Sequence, residues 1–177
     1  MKIKLKISLI ILSAFLFNQS FSQTKGRPSL GIGVDFGIPA GKLNTTQKIG
    51  VGGTAKAAFP VTTNGDFTLS AGYISFSGDE YKEGSQTIKS AALNTIPIKA
   101  GFRYKFTPQG FYLEPQLGYT SLSTPGGSSA KGGFTYAANV GYFLGSNFDV
   151  SARYEAINKE GGNLPFVGLR LGYNFNL

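Results

Sequence analysis

The sequence predicts an all-β fold, an eight-stranded antiparallel barrel with up-and-down topology. Apolar and polar residues alternate with a period of two along most of the chain, which is the pattern of strands with two different faces. Glycine accounts for 25 of the 177 residues, roughly twice its usual share, and follows no three-residue repeat. Tight turns alternate with longer connections between the strand segments. The length allows one domain with a sizeable core.

The first 22 residues have the pattern of a signal peptide. A basic segment with three lysines comes first: Lys2, Lys4 and Lys6. The apolar run Ile7–Phe17 follows, and it is too short for a membrane-spanning helix, which needs about 20 residues. The small residues Ser20 and Ser22 favour cleavage before Gln23. We expect a signal peptide over residues 1–22, a short segment over 23–27 and the barrel domain over 28–177; an uncleaved anchor is the alternative.

Charge and composition exclude several classes of function. The formal net charge of +8 includes the three lysines of the leader, and the remaining charges are too scattered to favour nucleic acid. The chain has no cysteine, so it has no disulfide, thiolate zinc site or cysteine nucleophile. It also has no histidine, which excludes a Ser–His pair and imidazole metal ligands. The sequence therefore predicts no catalytic residue, cofactor site or metal site.

Eight segments of the mature chain have strand character and end at turn or loop residues. Their typical length is close to ten residues, which a tilted strand needs to cross a bilayer. In chain order they are Ser29–Ile38, Ile49–Val61, Phe67–Ser77, Thr95–Phe106, Phe111–Ser121, Gly133–Leu144, Phe148–Ala156 and Pro165–Leu177.

The connections between these segments fall into two classes. Tight turns are predicted at Thr62–Asp66, Thr107–Gly110 and Gly145–Asn147. Longer loops are predicted at Pro39–Lys48, Gly78–Asn94, Leu122–Gly132 and Ile157–Leu164. Short turns at one end and longer loops at the other are typical of a membrane barrel. Because the number of strands is even, we expect both termini at the end with the short turns, facing the periplasm.

One face of the strands is apolar, and the opposite face carries glycine and charge. In the fourth segment, Ile98, Ala100 and Phe102 alternate with Lys99 and Arg103. In a soluble barrel the apolar face would point inward. However, aromatic residues of the apolar face lie near the strand ends, as in the interfacial girdle of a membrane barrel. These are Phe59, Phe67, Phe106, Phe111, Tyr142, Phe148 and Phe175. The pattern therefore favours a transmembrane barrel.

The charged face is then the lumen. An eight-stranded lumen is only wide enough for side chains to fill, and an unpaired charge there costs several kcal/mol. We expect paired charges to close it, with Arg153 and Glu155 near Lys99 or Arg103. The predicted network contains Asp35, Lys56, Lys99, Arg103, Glu114, Asp149, Arg153, Glu155 and Arg170, and Lys105 shares its face.

The C-terminal residues have the form polar-x-Gly-x-x-aromatic-x-hydrophobic. These positions are Arg170, Gly172, Phe175 and Leu177. The motif resembles the signal by which the barrel-assembly machinery recognises outer-membrane barrels, although many of those barrels end in Phe. Over residues 28–177 the chain resembles the small outer-membrane β-barrel family of OmpA and OmpX type. The resemblance implies the outer membrane of a Gram-negative bacterium, contact with its lipid, insertion by that machinery and a structural, adhesive or surface-contact role.

Three hypotheses of function follow. The leading one is a non-enzymatic, monomeric outer-membrane barrel without cofactor, which stabilises the membrane or presents its loops to a surface partner. The second is a narrow channel for ions or small solutes, because the predicted lumen has six basic and four acidic residues. The third is a soluble, lipocalin-like periplasmic barrel that binds an apolar ligand, in which Phe102 and Leu169 would face inward.

Overall fold

A computed structural model of the chain describes residues 26–83, 86–107, 109–125, 132–159 and 162–177. The predicted signal peptide over residues 1–22 lies outside the described residues. Within them the strands are β1 (Ser29–Pro39), β2 (Gln47–Pro60), β3 (Gly65–Gly78), β4 (Glu80–Glu83), β5 (Gln86–Lys89), β6 (Leu93–Lys105), β7 (Phe111–Ser123), β8 (Gly133–Leu144), β9 (Phe148–Lys159) and β10 (Gly162–Asn176). A 3-10 helix, Gly41–Thr45, connects β1 to β2.

Eight of these strands form a closed antiparallel barrel, in the order β1, β10, β9, β8, β7, β6, β3 and β2. The first and last strands close it, with pairing from Ser29 opposite Asn176 to Pro39 opposite Phe166. Closure leaves the barrel sheet without a free edge, the condition under which strands can cross lipid. The predicted fold class, an eight-stranded antiparallel up-and-down barrel, is confirmed.

Two of the predicted loops are largely strand. In the Gly78–Asn94 connection, β4 and β5 form a separate hairpin in which Tyr81 pairs with Ile88. The predicted loop Ile157–Leu164 instead continues β9 and β10, whose Ile157 and Leu164 pair across a short connection. β9 ends at Lys159 and β10 begins at Gly162, so the connection is shorter than predicted.

The two ends of the barrel differ in their connections. The turn end carries both ends of the described barrel and the short β2–β3, β6–β7 and β8–β9 connections. In the last of these, Gly145 has a φ of 76°, a conformation that favours glycine. The loop end carries the 3-10 helix, the β4–β5 hairpin and the β7–β8 and β9–β10 connections.

The outer face of the barrel is apolar. Large hydrophobic side chains are exposed on every barrel strand, including Ile98 on β6 and Leu117 on β7. Phe102 and Leu169, which a soluble barrel would turn inward, are also exposed on the outside. The soluble alternative is therefore wrong, because its ligand pocket would need these side chains inside. Among the described residues, no helix is long and apolar enough to cross a membrane.

Candidate functional site in the barrel lumen

The lumen is filled by side chains, and Glu114 on β7 is at the centre of one cluster. Its Oε2 atom accepts hydrogen bonds from Lys56 Nζ and Arg103 Nε, each at 3.0 Å. Its Oε1 atom accepts from Thr68 Oγ1 at 3.0 Å and Gln116 Nε2 at 2.7 Å. The carboxylate is fully buried and both of its oxygens are occupied. Two cations therefore share one negative charge.

A second cluster is built on Asp149 of β9. Arg170 Nη1 donates to both carboxylate oxygens, at 2.8 and 3.1 Å. Asn174 Nδ2 donates to Oδ2 at 2.8 Å, and the hydroxyl of Tyr112 donates to Oδ1 at 3.3 Å. This cluster joins β7, β9 and β10 through groups that are all buried.

A third cluster connects opposite parts of the sequence. Lys99 Nζ donates to Glu155, and Arg153 Nε lies 3.0 Å from the same carboxylate. Arg153 Nη1 also donates to Asp35 Oδ1 at 2.6 Å, across 118 positions of the chain. The structure thus places Glu155 and Arg153 beside Lys99, whereas Arg103 belongs to the Glu114 cluster.

One lumen carboxylate falls outside the predicted network. Asp66 lies at the turn end of β3 and accepts a hydrogen bond from Lys105 Nζ at 2.7 Å. The sequence assigned Asp66 to a turn, although it has the same parity as the inward residues Thr68 and Ser70 of β3. In the described barrel, six cations therefore face five carboxylates.

An apolar cluster, absent from the sequence prediction, fills the loop end of the lumen. Phe76 and Phe166 pack edge to face with ring centroids 5.3 Å apart. Leu43 of the 3-10 helix, only 2% exposed, covers the cluster from above. Its remaining members are Ile74, Leu122 and Ile157. These residues alternate inward like their charged neighbours, so parity alone could have placed them in the lumen.

Inward glycines make room for the large side chains of the lumen. A Cβ atom at Gly141 would lie 2.1 Å from Tyr112 Cζ, and one at Gly33 would lie 2.6 Å from Arg170 Nε. Real Cβ atoms do not approach other atoms so closely, so these positions require glycine for space. The predicted association of glycine with a crowded lumen therefore has a steric cause.

Aromatic side chains surround the turn end on the outside. Phe111 packs against Tyr142 with centroids 4.8 Å apart, and Phe148 against Tyr173 at 4.9 Å. Of the seven predicted girdle residues, Phe59 is half-buried and the other six are exposed. This arrangement is that of an interfacial girdle.

The C-terminal motif divides between the two faces of β10. Arg170 and Gly172 face the lumen, where Arg170 contacts Asp149. Phe175 and Leu177 are exposed. The motif thus presents apolar groups outside the barrel while its charged residue is engaged within.

This packing limits the binding and the reactions that groups in the lumen could support. The charged groups are engaged with one another, and among the described residues no group of three or more acidic side chains could hold a metal ion. The apolar cluster covers the charged clusters at the loop end. At the turn end a cavity of about 240 Å³ remains, lined by Arg103 and Lys105 among others.

Comparison with known families and structures agrees with this architecture. The profile of the family described as outer membrane protein beta-barrel domain matches residues 7–175. A comparison with curated proteins gives no match.

Several solved structures share the fold at low sequence identity. Neisserial surface protein A is 18% identical with a TM-score of 0.63, over 85% of this chain and 97% of that one. The attachment invasion locus protein Ail of Yersinia pestis, in complex with the heparin analogue sucrose octasulfate, is 18% identical with a TM-score of 0.58. That match covers 86% of this chain and all of Ail. OprG of Pseudomonas aeruginosa is 11% identical with a TM-score of 0.52, over 87% and 98% of the two chains.

Proposed function

Because the chain belongs to the outer membrane protein beta-barrel domain family, we propose that it is a non-enzymatic, monomeric barrel with a sealed lumen. It is an integral protein of the Gram-negative outer membrane, with its apolar face in contact with lipid. The proposed role is to stabilise that membrane or to present the loop end to a surface partner. The observation that carries the proposal is a lumen filled by ion pairs and covered by an apolar cluster.

Two successive layers of side chains obstruct the lumen, which supports a barrel that does not conduct ions. Ions would have to pass the apolar cluster of Phe76, Phe166 and Leu43 at the loop end, where nothing replaces their hydration. They would then meet the charged clusters, whose carboxylates are engaged with lysine or arginine. The small excess of lumen cations, which motivated the channel hypothesis, does not provide a path.

The same observations support a non-enzymatic role. A general acid or base must be able to exchange a proton with a substrate. Glu114, Asp149 and Glu155 are buried and hold cations, so no substrate reaches them through the described lumen. Cysteine and histidine, the commonest alternatives, do not occur in the chain.

The loop end provides the surface for the proposed partner. The β4–β5 hairpin is separate from the barrel sheet, and Lys48 and Asp79 form an exposed ion pair at 3.1 Å beside it. Such connections, held by a rigid barrel, are where membrane barrels place binding residues. The Ail complex with a heparin analogue is a case of ligand binding by a protein of this fold.

The predicted signal peptide and the C-terminal motif together suggest a route of biogenesis. We infer export through the signal peptide over residues 1–22 and delivery to the barrel-assembly machinery. The C-terminal motif of Arg170, Gly172, Phe175 and Leu177 would be recognised there. Its position on β10 supports this role, because that strand closes the barrel against β1.

Planar-bilayer recording tests the sealed lumen. The protein is reconstituted, and its insertion is verified by protease protection and by gel mobility with and without boiling. We expect no stable conductance. A stable unitary conductance that changes in an Arg103→Ala variant would contradict the proposal and favour the narrow channel instead.

A further inference from the structure

The cavity at the turn end of the barrel is positively charged. It has a volume of about 240 Å³, well above the 10–15 Å³ or so that one water molecule needs. Among the described residues, three cations line it, Arg27, Arg103 and Lys105, together with one carboxylate, Asp66. Asp66 pairs with Lys105, and Arg103 shares the single negative charge of Glu114 with Lys56, so the two arginines leave an excess of positive charge. The charge of the cavity lining suits an anion.

Arg103 also has an unused donor. The residue is only 2% exposed, and its Nη2 atom has no hydrogen-bond partner. Its neighbour Glu114 cannot provide one, since both carboxylate oxygens already accept two hydrogen bonds each. A buried N–H group without a partner costs free energy that a suitable acceptor would recover.

The guanidinium of Arg103 is held in place by its surroundings. Glu114 fixes its Nε atom at 3.0 Å. Its Cζ atom lies 4.7 Å from the ring centroid of Tyr112 and 5.4 Å from that of Phe143. Phe143 lines the cavity as well. A planar donor group held in this way binds an oxyanion without losing much further conformational freedom.

We propose that the turn-end cavity is a binding site for a small oxyanion, a phosphate or a carboxylate. Arg103 is its fixed ligand, and Arg27 and Lys105 add charge at the rim. Amide and hydroxyl side chains of the lining, including Asn176 and Ser146, are available as further donors. The site lies at the opposite end of the barrel from the apolar cluster of Phe76, Phe166 and Leu43, so an anion reaches it without crossing the lumen.

The test is a titration of the folded protein with inorganic phosphate in a sugar-headgroup detergent, which contributes no phosphate of its own. Chloride at equal ionic strength is the reference. Backbone amide NMR and calorimetry follow the binding. We expect a saturable change with one site per chain, confined to turn-end residues such as Gly145 and Ser146. A parallel titration with acetate distinguishes a carboxylate site from a phosphate site by which anion binds more tightly.

Four variants locate the site. Arg103→Gln should weaken binding about tenfold or more, the loss expected for a hydrogen bond to a charged group. Arg27→Gln, outside the buried clusters, should weaken it about two- to fivefold. Asp66→Asn should strengthen it several-fold, because Lys105 is released and the carboxylate of the described lining is removed. Lys48→Gln removes the same charge at the loop end and should leave affinity unchanged.

Two results would overturn the proposal. One is the absence of a saturable change with both phosphate and acetate in the unmodified protein. The other is equal affinity in Arg27→Gln, Asp66→Asn and Lys48→Gln, because binding would then not depend on the cavity. These three variants keep the test decisive if Arg103→Gln does not give the heat-dependent gel shift of a folded barrel.

Discussion

At the scale of single residues, Glu114 connects strands that are distant in the sequence. Its carboxylate on β7 holds Lys56 of β2 and Arg103 of β6, while Thr68 of β3 donates to the other oxygen. All four side chains are buried. Removing the negative charge would leave two cations close together without compensation.

Glu114→Gln should therefore lower the free energy of unfolding by about 3–5 kcal/mol, the usual cost of breaking a buried ion pair. The free energy of unfolding is measured by urea titration in detergent micelles. Far-UV circular dichroism follows the unfolding, since the chain has no tryptophan for fluorescence. Lys48→Gln is the matched control, since its pair with Asp79 is largely exposed and should contribute less than about 1 kcal/mol. Equal effects of the two substitutions would contradict the role of Glu114.

Gly141 leaves space in the lumen for a neighbouring large side chain. A methyl group there would overlap the ring of the fully buried Tyr112. Gly141→Ala should cost about 1–3 kcal/mol through overpacking, in the same urea titration. Gly53→Ala is the control, because Gly53 is exposed and its added Cβ would meet only a carbonyl oxygen at 3.4 Å. If both variants are equally stable, the glycine is not needed for space.

For charges within the predicted strands the sequence shows the face, but it does not fix the partner. Strict alternation placed Asp35 and Arg153 in the lumen, yet their contact spans 118 positions and depends on the stagger of the closed barrel. Stagger is a property of the whole ring of strands. The assignment of Arg103 to Glu114, and of Lys99 to Glu155, required the three-dimensional register.

At the scale of the elements, the 3-10 helix after β1 acts as a cover for the loop end. It places Leu43 against the apolar cluster that contains Phe76 and Phe166. The sequence predicts a loop here, because five residues do not establish a helical period. The packing of Leu43 against the apolar cluster positions the segment.

Leu43→Ala should lower stability by about 2–5 kcal/mol, the range for deleting a buried leucine. The adjacent Asn44 is exposed, so Asn44→Ala should change stability by less than about 0.5 kcal/mol. Hydrogen exchange measures the local consequence as faster exchange at the loop ends of β3 and β10. Unchanged exchange and stability in Leu43→Ala would show that the helix does not cover the lumen.

On the outer face of each strand, the cost in stability of a charged substitution should depend on its depth in the membrane. Ile98 lies near the middle of β6 and is 64% exposed, whereas Phe106 follows the turn end of the same strand. Ile98→Arg should cost about 2–4 kcal/mol and Phe106→Arg about 0–1 kcal/mol. Unfolding of the two variants from lipid vesicles measures the difference. Equal costs would show that the two positions do not lie at different depths in lipid.

Strand positions and the three tight turns were largely predictable, while the connections at the loop end were not. Period-two alternation located all eight barrel strands, and for β8 both ends agree with the structure. The β9–β10 connection was predicted too long because Ile157 and Leu164 lie beside loop-forming residues. Both residues have the inward parity of their strands, and their packing with the apolar cluster at the loop end extends both strands.

At the scale of the whole molecule, the mean hydropathy of −0.02 conceals two separate surfaces. The outer one is apolar and carries exposed aromatic side chains toward both ends, such as Phe111 and Phe148 at the turn end and Tyr119 and Phe134 toward the loop end. The inner one is charged in its middle and apolar at the loop end. An average over both is typical of a soluble protein, whereas their separation defines a membrane barrel with a filled lumen.

The central claim is that one face of each strand contacts lipid and the other a closed interior, and adjacent residues of β3 can test it. Leu69 points outward and Ser70 inward, and the chain has no cysteine to interfere with labelling. Leu69→Cys and Ser70→Cys are reconstituted separately in vesicles and exposed to a lipid-phase and a water-soluble thiol reagent.

We expect the lipid-phase reagent to label Leu69→Cys and neither reagent to label Ser70→Cys until the protein is unfolded. Labelling of Ser70→Cys by the water-soluble reagent in the folded protein would contradict the sealed lumen. Labelling of Leu69→Cys by that reagent alone would contradict the lipid-facing surface.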